Sequence, residues 1–102
     1  MNKQELKQKI AENIDTFPHK EALKRLALFG SQLHETATEE SDADILIEFQ
    51  PGVSVGFFKM SHMLQFLEKN TGKKVDLVPQ AGLSKYFRDE VISESETIYE
   101  RR

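Results

Sequence analysis

A mixed α/β fold, with a small sheet of three to four strands and helices packed against it, is what three features of this 102-residue sequence predict. Short apolar runs of strand length recur at residues 26–29, 44–49 and 74–78. Between and around them lie stretches whose apolar residues fall three and four apart, the spacing of one helical face. Glycine and proline punctuate the junctions. The resulting order is helix, strand, short helix, strand, helix, strand, helix, which is the alternation of a mixed α/β domain rather than of a helical bundle or a β-sandwich.

Taken in order, residues 3–17 place Leu6, Ile10, Ile14 and Phe17 on one face and predict an amphipathic helix. Pro18 stops it, because proline has no N–H and restricts the residue before it. Residues 19–24 form a polar connection with room for a helical turn, and residues 26–29, joined by Leu23, predict a buried strand ended by Gly30. A short helix is expected at 31–34 and a polar loop at 35–41. The strand at 44–49 ends at Pro51-Gly52. Residues 57–70 return to helical spacing through Phe57, Met60, Leu64 and Leu67, with Met63 alongside, and these side chains are expected in the core. Ser54 is the expected N-cap and Gly72 the stop. Strand 74–78 ends at Pro79, a helix is expected at 83–93 with Tyr86, Phe87, Val91 and Ile92 as its apolar positions, and residues 97–99 predict a short edge strand.

The composition is that of one domain over residues 1–102, with 38% hydrophobic residues to build one core. There is no cysteine, so disulfides and thiolate-bound metals are excluded. No apolar run approaches the roughly 20 residues of a membrane helix. The N-terminus is polar and helical in pattern rather than a signal peptide, so a cytoplasmic location is expected. A formal charge of −3, without a long basic run or interleaved aromatics, argues against extended or direct nucleic-acid binding. Lys73-Lys74 and Arg101-Arg102 are expected on the solvated surface, and His19 and His62, which have no partner at metal-ligand spacing, in surface or helix-face roles.

The residues that carry chemistry bracket the polar loop. Asp42 and Asp44 are two apart at the start of a strand, so side-chain alternation points both to one side. Carboxylates so close repel unless a cation lies between them, and Mg²⁺ suits hard oxygen ligands. Asp76 lies inside the apolar run Val75-Asp76-Leu77-Val78, where a buried, unpaired charge would be costly and a shared metal would offset that cost. Alternatively, these acids form a solvated loop and surface, with Asp76 facing water or pairing with Lys73 or Lys74. Gly30-Ser31 directly after a strand adds weight to the first reading, because glycine lets the chain approach a ligand and N–H groups at a helix start receive phosphate oxygens.

LFGS at 28–31, SDADILIEF at 41–49 and KKVDLV at 73–78 together resemble the minimal nucleotidyltransferase domains of the DNA polymerase beta superfamily, and the resemblance extends over nearly the whole chain. It implies a nucleotidyltransferase-type sheet. It further implies that Asp42 and Asp44 bind two Mg²⁺ ions, that Asp76 completes the site and helps to activate an acceptor hydroxyl, and that Gly30 and Ser31 hold ATP. Small prokaryotic proteins similar to this one are antitoxins encoded beside a HEPN-type ribonuclease toxin, in which they transfer AMP to a tyrosine. A hetero-oligomer with such a protein partner is the implied assembly.

One segment departs from the pattern. Active relatives often continue Gly-Ser-Arg-x-Arg-Gly, whereas this chain has Gln32, His34 and Glu35. Losing fixed positive charge beside a triphosphate weakens its binding. That leaves open an inactive scaffold that neutralises its partner by occlusion. Transfer to a small-molecule hydroxyl is a third reading, for which the chain offers little enclosing material.

Overall fold

A computed structural model describes residues 2–30 and 42–101. The short helix expected at 31–34 and the polar loop at 35–41, and with them Ser31, Gln32, His34, Glu35 and Ser41, lie outside the described residues.

Helix α1 spans Lys3–Glu12, its start capped by Asn2, whose side-chain oxygen accepts from the Glu5 N–H at 2.9 Å. It is shorter than its apolar spacing predicted. After Asn13 the chain tightens into a 3-10 turn at Ile14–Thr16, and Phe17 still reaches the core. There its ring meets Phe66 edge-on, with centroids 5.2 Å apart. A second 3-10 turn at Lys20–Ala22 occupies the polar connection and leads into strand β1, Leu23–Phe29, which starts three residues earlier than expected.

Strand β2, Ala43–Phe49, pairs antiparallel with β1. Helix α2, Phe57–Thr71, then returns the chain to strand β3, Val75–Pro79, parallel to β2. Gly72 ends α2 in the left-handed conformation (φ +67°), as expected of a helix stop, but Gly56 rather than Ser54 occupies the N-cap and supplies no side-chain bond. Glu68 of α2 accepts from the Val75 N–H at 3.0 Å and so fixes where β3 begins. Helix α3 is confined to Arg88–Glu94, five residues shorter at its start than predicted, and strand β4, Glu96–Glu100, closes the sheet antiparallel to β1. The order is β3-β2-β1-β4, so the expectation of a mixed fold with three to four strands resolves to four among the described residues.

Alternation sorts the strands by face. Leu26 and Leu28 of β1, Ala43, Ile45 and Ile47 of β2, and Val75 of β3 share a core with Leu6 and Ile10 of α1 and Met63 and Leu67 of α2. The intervening residues, Asp44 and Asp76 among them, point to the opposite face.

Two expectations are corrected. Phe57, counted in the apolar stripe of α2, is 82% exposed, and its neighbour Phe58 is 80% exposed. Tyr86 and Phe87, expected to anchor a longer last helix, precede α3 and are exposed. His19 and His62 keep surface positions, His62 on α2, but they meet each other there. Their Nε2 and Nδ1 atoms lie 2.9 Å apart, with ring planes within 12° and centroids 5.2 Å apart. Arg101 is likewise engaged, since its Nη2 donates to the Lys20 carbonyl at 3.0 Å.

Candidate active site

The sheet register brings the candidate residues together. Phe29 of β1 stands opposite Asp44 of β2, and Asp44 is in turn the register partner of Asp76 on β3. The two carboxylate-bearing positions are thus neighbours across one strand spacing, about 4.8 Å, on the face turned away from α1 and α2. Asp42 is exposed immediately before β2 and shares the parity of Asp44. A bond from the Ala43 N–H to the Lys74 carbonyl, 2.9 Å long, holds the start of β2 against the approach to β3.

Gly30 completes this corner. It directly follows Phe29 and has φ +75°, a conformation that side chains disfavour. A Cβ placed there would overlap the Asp44 carboxylate, with the carboxyl carbon 3.0 Å away. The glycine is therefore required twice, once for the turn and once for the space that Asp44 occupies. Ser31, the other nucleotide-binding residue named from the sequence, lies outside the described residues.

Of the two readings of Asp76, the one that has it facing water holds, because β3 is an edge strand and Asp76 is exposed. Desolvation therefore gives no reason to place a metal beside it. Its reason for belonging to the site is its register with Asp44.

The donor set fits a hard divalent ion in type, being all carboxylate oxygen. Among the described residues, no three acidic or histidine side chains converge closely enough to make a ready-formed metal centre.

Sequence reasoning missed the surroundings of Asp76. A pocket of about 410 Å³ lies between β3 and α2, lined by Val55, Phe57, Met60, Leu64, Val75 and Leu77, with Gly56, Ser61 and Asp76 also on its wall. The signal was available in Phe57-Phe58: consecutive helical positions point about 100° apart, so both rings could not face one core.

A small α/β domain with a glycine turn and aligned carboxylates on a sheet face is the class these features define. The chain belongs to the nucleotidyltransferase domain family, which it matches over residues 6–99. It is 32% identical to the protein adenylyltransferase MntA of Thermococcus cleftensis over 72 residues, 71% of each chain. A solved structure described as a candidate minimal nucleotidyltransferase superposes with a TM-score of 0.74 at 27% identity, covering 97% of this chain and 96% of that one. The crystal structure of a toxin-antitoxin with AMP-PNP shares the fold, with a TM-score of 0.72 at 21% identity over 94% of this chain and 74% of that chain. Among the described residues, no helix is long and apolar enough to cross a membrane.

Proposed function

We propose that this nucleotidyltransferase is a protein adenylyltransferase and an antitoxin, transferring AMP from ATP to a tyrosine hydroxyl of a HEPN-type ribonuclease partner. The observation that carries this reading is the alignment of Asp44 with Asp76 beside the Gly30 turn. The relative named a protein adenylyltransferase supports the reaction class, and the likeness to a toxin-antitoxin structure supports the partner.

In this reading Asp42 and Asp44 would hold two Mg²⁺ ions, with Asp76 completing the set, and the metal would supply charge neutralisation for the triphosphate when bound. The chain's own residues position the reactants. Gly30 and Ser31 receive the triphosphate through backbone N–H groups and a hydroxyl. The acceptor oxygen attacks the α-phosphorus, the bond to the β-phosphate oxygen breaks, and pyrophosphate leaves. The hydroxyl proton passes to the Asp76 carboxylate. Such chemistry depends on positioning and charge more than on covalent participation.

The test is incubation of the purified protein and the product of its neighbouring gene with each α-labelled nucleoside triphosphate and Mg²⁺. Label from ATP on a tyrosine of the partner is expected. No label from ATP, GTP, CTP or UTP would overturn the reading. A second reading rests on Gln32, His34 and Glu35, which replace the basic pattern of active relatives. A scaffold that has lost triphosphate affinity would neutralise its partner by binding alone.

A further inference from the structure

Strands β2 and β3 run parallel, so both leave Asp44 and Asp76 behind and end together at the other margin of the sheet. The chain after β2 carries Val53 and opens α2 with Phe57 and Phe58, and the connection after β3 carries Tyr86 and Phe87. These five are all of the exposed large hydrophobic side chains among the described residues. The four rings expose roughly 600 Å² between them, at about 200 Å² for a whole aromatic side chain. That is a large part of the roughly 800 Å² each partner gives to a stable protein contact.

A cleft of about 360 Å³ opens at this end, with Glu48, Phe49 and Val53 on one side and Pro79, Ala81 and Arg88 on the other. Its one carboxylate, that of Glu48, has no ion-pair partner among the described residues. Arg25, opposite Glu48 in the β1–β2 register, donates instead to Ser95 and Thr97, and Arg88 donates to the Ala81 and Leu83 carbonyls. Two residues before Arg88 the same end carries a protrusion. The Phe87 N–H donates to the Ser84 carbonyl at 3.2 Å and closes a turn with Lys85 and Tyr86 at its centre. The Lys85 Nζ lies 5.5 Å from the centroid of the Tyr86 ring, and this lysine also has no ion-pair partner among the described residues.

A protruding ring that carries a cation, next to an apolar cleft that holds an unpaired carboxylate, makes a surface complementary to itself. Self-complementarity is what a two-fold contact between identical chains requires. We propose that two copies of this chain associate through this end, each inserting Tyr86 into the cleft of the other and setting Lys85 against the Glu48 carboxylate of that copy. The two-fold doubles each contact. Gly30, Asp44 and Asp76 of both copies stay at the outer ends of the dimer, open to a substrate.

The test is sedimentation equilibrium of the full chain between about 1 μM and about 1 mM. A monomer–dimer equilibrium that weakens with added salt is expected. Tyr86→Ala and Lys85→Glu alter fully surface-exposed positions, so both should fold and melt as wild type does, yet dimerise at least roughly tenfold more weakly. Glu48→Lys combined with Lys85→Glu restores opposite charges across the contact and should recover the dimer that Lys85→Glu loses. A wild type that stays monomeric over the whole range would overturn the proposal, as would a dimer untouched by both single variants. A folded charge-swapped variant that stays as weak as Lys85→Glu would overturn the Lys85–Glu48 pairing. A monomeric wild type whose Tyr86→Ala variant no longer binds the product of the neighbouring gene would assign this end to that partner instead.

Discussion

Gly30 and Asp44 show how closely one backbone conformation and one carboxylate depend on each other. The glycine adopts φ +75°, and a Cβ would collide with the Asp44 carboxylate. Gly30→Ala therefore meets two penalties. The left-handed conformation costs about 1–2 kcal/mol for a residue with a side chain, and the carboxylate must also move. Gly72 isolates the first penalty, because it too is left-handed at φ +67° but has nothing within 4 Å of a Cβ. Urea denaturation should show a loss of stability for both Gly30→Ala and Gly72→Ala, while only Gly30→Ala should also lose nucleotidyl transfer. Normal transfer by Gly30→Ala would mean that the position of Asp44 is not critical. At this scale the candidates Gly30, Asp42, Asp44 and Asp76 could be picked out by residue type and spacing, and the fold brings Gly30, Asp44 and Asp76 together. What spacing could not give was the contact between Gly30 and Asp44, or the exposure of Asp76, because both depend on which strand lies at the edge.

Among the elements, the strands were the more legible because each is a short apolar run with a breaker after it. The helices were less so. Residues 3–17 carry a continuous apolar face, yet the α-helix stops at Glu12 and the face is completed through a 3-10 turn, since burial of Ile14 and Phe17 does not require one unbroken helix. Helix α3 loses its first turn for the opposite reason: Tyr86 is 87% exposed and buries too little to hold an extra helical turn. The His19–His62 pair joins residues 43 apart in sequence, beyond any local pattern. The first helix and last strand are also joined by charge. Lys3 and Lys7, one turn apart on α1, reach Glu96 of β4 at 3.0 and 3.5 Å. The hydrogen bond from Lys3, aided by the attraction of both lysines, holds the Glu96 carboxyl below its ordinary pKa against an opposing effect of burial. A carboxylate whose folded pKa is lowered contributes stability above its unfolded pKa and loses it as pH falls through the folded value. Thermal melts of wild type and Glu96→Gln should therefore differ by no more than a few degrees near neutral pH, with wild type higher. The gap should close as the pH drops below the carboxylate range. A gap that stays constant into acid would assign the effect to packing instead.

At the scale of the whole molecule, the four strands and two core helices among the described residues hold one face of the sheet apolar, while the other carries Asp44 and Asp76 alongside the buried Ala27 and Leu46. The order β3-β2-β1-β4 explains why Asp76, over thirty residues from Asp42 in sequence, stands beside Asp44. That arrangement serves either a transferase or a scaffold that keeps the fold and has lost the chemistry, and the two part company on one substitution. Asn in place of Asp42 and Asp44 keeps shape and removes the charge that would hold metal. The most direct measurement is transfer of α-labelled AMP from ATP to the partner by wild type and by Asp42→Asn/Asp44→Asn, with thermal melts of both. Transfer should fall by more than the roughly 10–100-fold typical of losing an outer-shell partner of a metal ligand, with the melting temperature little changed. Labelling of the partner at the wild-type rate by the double variant would contradict the account.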